Sequence, residues 1–333
     1  MLFKHILVTG GAGYVGAVLV PKLLTGGYRV TVLDWFLYGE VMDKHQNLKL
    51  IKGDIRNKKT VSKALEGVDA VIHLACISND PSFELDPALG KSVNLDGTKL
   101  VIDLAKGAGI RRFVYASSSS VYGVKNEMKV TEELALEPLT DYSKYKATGE
   151  KYLLGKIDPN FCGLILRPAT VCGHSRRMRF DLTVNLLTIN ALVNKKIRVF
   201  GGSQKRPNIH IEDMTDLYLN CLTYDETQIQ GKIYNAGYEN FTVMEIARMV
   251  KAVVGDQSIK IVTEPTNDHR SYHINSDLIK KELAFVPKRT VKKAIRDITK
   301  AYRQELYDDP LNNHKYFNIK AMKAACKPTA NDL

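Results

Sequence analysis

The sequence predicts a doubly wound α/β fold, with a parallel sheet covered by helices on both faces and a smaller α/β lobe interleaved towards the C-terminus. Three observations carry that expectation. Short, β-branched apolar runs alternate with amphipathic stretches through the first half of the 333 residues. A glycine triplet, Gly10, Gly13 and Gly16, follows the first run at once and enters an apolar stretch. A carboxylate, Asp34, closes the second run, twenty-four residues after Gly10. Strands buried on both faces read as continuous apolar runs, and intervening helices make such strands parallel.

The elements follow in order. Residues 6–9, 30–33, 48–51, 70–74, 113–116 and 164–167 have the length and β-branched content of strands. Residues 14–24 form the first helix, ended near Gly26 and Gly27. Beyond about residue 175 the pattern loosens, with helices at 181–194, 212–222, 242–254 and 276–283 and short strands at 199–200, 233–235 and 259–262. The expected organisation is a nucleotide-binding unit over 1–174, a second lobe over 175–310 with some segments returning to the sheet, and a polar tail over 311–333.

Composition narrows the function classes. With 44% apolar residues the chain can bury a substantial core. No apolar run approaches the roughly 18–20 residues that span a bilayer, and the N-terminus enters a strand rather than a signal peptide, so a cytoplasmic, membrane-free protein is expected. Cys76, Cys162, Cys172, Cys221 and Cys326 include no CxxC pair and read as buried thiols. His269 and His273 lack the Glu of a zinc helix, so no metal is expected. Gly90-Lys91-Ser92 ends like a phosphate loop, but Leu85 stands where its first glycine belongs. The net charge of +12 is scattered. Its densest segment, around residues 288–306, sets Val291, Ile295, Ile298 and Tyr302 at helical spacing, which makes the bases a solvated face and not a nucleic-acid site.

Two constellations carry chemistry. The glycine triplet permits a tight turn and close approach of backbone amides to a pyrophosphate, and Asp34 can accept from ribose hydroxyls while repelling a 2′-phosphate, which favours NAD. Asp54 has two readings, a contact to the adenine amino group or an N-cap for the segment starting near Asn57. Tyr142 and Lys146 stand four residues apart, so a helix puts phenol and ammonium on one face and the charge favours the phenolate. With 16 tyrosines and 33 lysines, about 1.6 such pairs arise by chance. Tyr152/Lys156 and Tyr316/Lys320 share the spacing, so context has to decide among the three.

That context is a resemblance covering nearly the whole chain. The markers are residues 9–16 (TGGAGYVG), the terminal Asp34, Gly53-Asp54, His73-Leu74-Ala75, Asn94, Ser117 to Gly123, Tyr142/Lys146, Arg167-Pro168-Ala169, and Arg206 followed by His210 and Asp213. Together they resemble the extended short-chain dehydrogenases/reductases of the nucleotide-sugar epimerase/dehydratase group, which have a Rossmann domain. The resemblance implies Tyr142 as acid/base, Lys146 on the nicotinamide ribose and Ser118 orienting a sugar hydroxyl. It implies an NAD site including Tyr14, Val15, Ile55, Leu74, Ala75, Asn94, Ser117, Arg167, Ala169 and Thr170. For a nucleoside-diphosphate sugar it implies Asn185, Arg206 and Arg270 on the phosphates, with Phe200 packing on the base. Asn79 and Ser119 lie where the sugar is expected, and Asn79-Asp80-Pro81 reads as a specificity loop. Cys76 replaces a common alanine as a small buried residue. Arg176, Arg177 and Arg179, taken singly, read as surface salt bridges.

One departure refines the expected reaction. Members resembling 4,6-dehydratases carry Asp and Glu after the Ser118 position; this chain has Ser119 and Ser120, poor replacements for eliminating water. The expectation is an NAD-dependent epimerase working at C4 through a 4-keto sugar. Its rivals are a 4-dehydrogenase or 4-ketoreductase, then a 4,6-dehydratase, and, in another class, a non-catalytic NAD-binding regulator. A homodimer through residues 95–105 and 145–154 is expected by analogy.

Overall fold

The structure, a computed structural model, describes residues 2–78, 85–266 and 271–325. β1 (His5–Thr9) leads into α1 (Gly16–Thr25), followed by β2 (Arg29–Asp34), β3 (Leu48–Lys52), α2 (Lys58–Ala64), β4 (Ala70–His73) and α3 (Pro87–Lys91). A π-helical stretch, Ser92–Gly97, runs into α4 (Thr98–Gly107); then come β5 (Arg112–Ala116), a 3-10 turn (Ser119–Tyr122), α5 (Asp141–Leu154) and β6 (Cys162–Pro168). The chain continues through β7 (Thr170–Cys172), α6 (Thr183–Asn194), β8 (Lys196–Phe200), β9 (Lys205–His210), α7 (Ile211–Asn220), α8 (Glu226–Ile229), β10 (Ile233–Ala236), β11 (Glu239–Thr242) and α9 (Val243–Val254). It ends with β12 (Lys260–Glu264), α10 (Asp277–Leu283), α11 (Val291–Arg303), a second 3-10 turn (His314–Tyr316) and α12 (Asn318–Ala325).

The main sheet has seven strands in the order β10-β6-β5-β4-β1-β2-β3, paired in parallel throughout. Alternation along β1 explains its two covered faces. Ile6 and Val8 pack with Leu19, Val20 and Leu23 of α1, whereas Leu7 packs with Val101, Ile102 and Ala105 of α4 on the other side. Strand order reverses between β1 and β4, and at such a switch point the connections diverge and leave a crevice beyond the carboxyl ends of the strands. A separate apolar core joins α6, α9 and α11.

The long apolar runs fold as expected, with ends moved by a residue or two. The short strands β7, β9 and β11 have no counterpart in the sequence pattern. β9 and β11 pair antiparallel, and β7 joins β9 in parallel. Lys205, Arg206, Pro207 and Asn208 give β9 no apolar alternation, and Arg206 and Pro207 line a cleft instead of an apolar core. The residues read as a polar tail hold α12, whose Ala321 and Met322 are buried. That burial corrects the tail reading for the described part of the segment. Among the described residues no helix is long and apolar enough to cross a membrane.

Candidate active site at the strand switch point

A cleft of about 520 Å³ opens at the switch point. Its floor is the turn between β1 and α1. Gly10 has φ +70°, and a Cβ there would stand 2.6 Å from the Ala75 backbone nitrogen. At Gly16 a Cβ would meet the Gly11 carbonyl oxygen at 2.3 Å. Only glycine lets the β1 turn, the end of β4 and the start of α1 close on one another. No side chain caps the N-terminus of α1 and no acidic residue stands in its first turn, so its positive end is left to an anion. Gly10, Gly13, Tyr14, Val15 and Gly16 all line the cleft.

Asp34 reaches the cleft from the end of β2. Its carboxylate accepts from the Ala12 N–H at 3.0 Å and the Phe36 N–H at 2.8 Å. Burial pushes its pKa above the usual carboxylate value, against those two bonds. Ile55, Leu74, Ala75, Ala169 and Thr170 line the cleft as well. Asp54 does not line it: its carboxylate is held by Arg56, with Nη2 to Oδ2 at 2.6 Å. Burial works against that carboxylate, but the Arg56 hydrogen bonds and charge outweigh it and hold the pKa low. Nor does Asp54 cap α2, which is capped by Asn57 accepting from the Thr60 N–H.

The other end of the cleft gathers Ser118, Tyr142 and Lys146. α5 starts at Asp141 because Thr140 caps it, with Thr140 and Ser143 forming a reciprocal capping box. Tyr142 therefore sits in the first turn, with Lys146 one turn on. The Lys146 ammonium is buried, donates to the Ala116 carbonyl at 2.6 Å, and lies 6.0 Å from the Tyr142 ring centroid. Ser118 is extended and its Oγ accepts from the Ser120 N–H at 3.1 Å, which turns Ser119 and Ser120 along the wall.

Several expected ligand contacts are instead interior bonds. Arg167 is buried and lies against Glu150, Nη2 to Oε2 at 2.6 Å and Nε to Oε1 at 3.0 Å, and it also donates to the Tyr122 hydroxyl at 2.8 Å. Ser117 lines the cleft, but its hydroxyl donates to the same Glu150. Asn94 clamps the backbone of Ile77, accepting from its N–H at 2.8 Å and donating to its carbonyl at 2.9 Å. Asn185 is fully buried, donates to the Tyr14 hydroxyl and the Arg179 carbonyl, and accepts from the Gly173 N–H. It holds the cleft's rim without facing it. Phe200 is 52% exposed and lies away from the lining. Asn79 and Arg270, with His269 and Cys326, lie outside the described residues. His273 hydrogen bonds the Glu127 carbonyl at 2.7 Å.

Arg206 does line the cleft, from β9, with its guanidinium 5.7 Å from the Tyr272 ring centroid. Cys76 is half-buried and also lines it. Residues the sequence did not point to include Tyr38, Ser78, Asp181, Asn318 and two of the three arginines read as surface groups. Arg176 is an exposed partner of Asp43, whereas Arg177 and Arg179 are buried in the cleft wall. No local signal separates them, because the string Arg176-Arg177-Met178-Arg179 has no periodicity that marks which arginines turn inward.

Comparison with known proteins places this geometry. The chain is 33% identical over 276 residues to an uncharacterized protein of Sinorhizobium fredii, covering 80% of this chain and 65% of that protein, so it spans just under two thirds of that relative's length. It is 28% identical over 271 residues to a UDP-glucose 4-epimerase of Lactobacillus helveticus, covering 74% of this chain and 82% of the relative. The fold matches a crystal structure of Thermotoga maritima UDP-glucose 4-epimerase with UDP-glucose at a TM-score of 0.83 and 22% identity, over 91% of this chain and 100% of that one. Similar proteins also include a UDP-glucuronic acid decarboxylase and a dTDP-glucose 4,6-dehydratase. The model of the NAD dependent epimerase/dehydratase family matches residues 6–237. With its glycine turn, its terminal Asp34 and its Tyr142/Lys146 pair on one cleft, the chain belongs to that family, and NAD is its cofactor.

Proposed function

We propose that the protein is an epimerase acting at C4 of a nucleoside-diphosphate sugar through a 4-keto intermediate. The observation that carries this reading is the side-chain inventory of the cleft. At the tyrosine end the described lining offers Ser118, Ser119, Ser120, Tyr142 and Lys146 without a carboxyl group. The two lining carboxylates, Asp34 and Asp181, are tied to backbone N–H groups and to Arg179 respectively. Such a set can exchange a proton at one hydroxyl, but it lacks the acid and base that elimination needs.

Bound NAD supplies the hydride acceptor and donor. Ser118 orients the C4 hydroxyl and Tyr142 takes its proton, while the nearby Lys146 ammonium favours the phenolate. On return, with the hydride delivered to the other face of C4, the same tyrosine gives its proton back to the C4 oxygen. Arg206 and Arg270 hold the diphosphate, since a guanidinium can pair with phosphate oxygens in a bidentate way. We assign cofactor binding to residues 1–174, sugar-nucleotide binding mainly to 175–310, and the pairing of two copies to residues 95–105 and 145–154; a monomer mass independent of concentration in light scattering would refute that pairing.

Incubation with a panel of UDP-, GDP-, CDP- and dTDP-sugars tests the reaction. One of them should give an isomer of equal mass, and a deuterium at C4 should stay with the sugar. Loss of water, loss of carbon dioxide or net reduction of NAD would each overturn the epimerase reading in favour of another reaction of the family.

A further inference from the structure

Arg177 is 3% exposed, yet the described residues give its guanidinium no ion-pair partner. Its Nη2 donates to the Asn318 Oδ1 at 2.5 Å, and its plane lies 3.5 Å from the centroid of the Tyr38 ring. Its Nε and Nη1 are buried and have no hydrogen-bond acceptor. Arg179, 9% exposed, pairs with Asp181 at 2.9 Å and donates to the Ser78 hydroxyl at 3.1 Å, leaving its buried Nη2 unpartnered. Arg177 therefore carries a buried charge with no ion-pair partner among the described residues, and the two arginines leave three unpaired donor nitrogens in the wall of the cleft. A buried charge and buried donors without partners are costly, and proteins retain them where a ligand completes them.

The position of the pair says which ligand. The segment carrying both arginines is fastened to the glycine turn: Tyr14 donates to the Gly173 carbonyl at 2.7 Å, and Ser175 donates to the Tyr14 carbonyl at 2.9 Å. The arginines thus share the cleft with the uncapped start of α1, and Arg177 stacks on Tyr38, close in sequence to Asp34. We infer that Arg177 and Arg179 form a buried cationic clamp, supplied by the second lobe, for the diphosphate of the dinucleotide that lies against the α1 glycine turn. The buried guanidinium charges act on the anion through a medium of low dielectric, and the unpaired N–H groups give them donors to offer it.

The inference rests on reading the cleft as a dinucleotide site, and calorimetric titration of the full-length, nucleotide-stripped protein keeps the two separable. ADP-ribose carries the diphosphate, adenosine lacks it, and UDP represents the sugar-nucleotide side. Arg177→Gln and Arg179→Gln should each weaken ADP-ribose by roughly ten- to a hundredfold and leave adenosine and UDP unchanged. Arg177→Lys should recover part of the loss, and inorganic pyrophosphate should displace ADP-ribose from the parent protein. The unliganded Arg177→Gln variant should melt no lower than the parent, because it loses a buried charge that has no ion-pair partner. Unchanged ADP-ribose affinity, equal losses for adenosine, or loss confined to UDP would overturn the clamp. So would failure of pyrophosphate to compete, a measurement that needs no variant. A parent protein that binds no ADP-ribose would overturn the dinucleotide reading itself.

Discussion

Three tyrosines precede a lysine by four residues, and their surroundings separate them. The Tyr152 hydroxyl and the Lys156 ammonium both go to Asp103, at 2.6 and 2.7 Å. Tyr316 accepts from the Asp308 N–H, and Lys320 donates to the Leu311 carbonyl. Tyr142 and Lys146 alone of the three pairs line the cleft. Tyr142→Phe should leave NAD binding intact and cut turnover by roughly 10²–10⁴-fold, measured as kcat on the active sugar nucleotide; retained turnover would refute its role. This pair was legible because spacing, the serine strand and the glycine turn agreed. Arg167, Asn94 and Asn185 were misplaced because a sequence reports that a residue is polar, and not whether its partner is a ligand or the chain's own interior. His73 is also interior, hydrogen bonded to Thr9 at 2.7 Å and Thr98 at 3.1 Å, and burial pushes its pKa down from 6.5 to about 3. The unfolded chain therefore takes up a proton below pH 6.5 that the folded chain refuses until about pH 3. Its contribution is full above 6.5 and fades as pH falls towards 3, by roughly 1.4 kcal/mol per unit. Urea midpoints at pH 7 and pH 5 should differ less in His73→Asn than in the parent.

At the scale of elements, α5 shows how packing overrides propensity. The helix carries Gly149 in its interior, where alanine would gain roughly 1 kcal/mol by helix propensity alone. A Cβ at Gly149 would stand 2.6 Å from the Tyr115 hydroxyl oxygen, and that side chain is fully buried and has no room to yield. Overpacking of this kind costs about 1–3 kcal/mol, so Gly149→Ala should lower stability on balance, read as a lower urea midpoint with an unchanged slope. The same helix presents Tyr142 and Lys146, and the variant should also lower kcat by displacing them from the β5 end. Apolar strands such as β1 and β4 were legible because both faces are covered, which forces continuous apolar sequence. β9 was not, because Arg206 and Pro207 line a cleft and the strand needs no apolar alternation.

Across the whole molecule, the cleft is bounded by parts of the chain remote in sequence, and Asn318 is where they meet. Its amide nitrogen donates to the Ser78 hydroxyl at 2.8 Å, its carbonyl oxygen accepts from Arg177, and its backbone N–H donates to Asp181 at 3.1 Å. One residue of α12 thereby bridges the loop after β4 and the segment that carries Arg177 and Arg179. No pattern in the sequence announces this. The segment's apolar residues are Ile319, Met322 and three alanines, a weak stripe because alanine has little to bury, and its worth lies in buried polar bonds whose partners are 137 to 240 positions away. Asn318→Ala removes both partners of its side chain at once and leaves the Arg177 Nη2 without its acceptor, which costs about 1–3 kcal/mol when buried. The variant should therefore unfold at a lower urea concentration. It should also release NAD faster than the parent, because Arg177 loses the bond that orients it beside Tyr38. If midpoint and release rate both stay at parental values, α12 contributes nothing to holding the lobes together, and the clamp must be oriented by Tyr38 stacking alone.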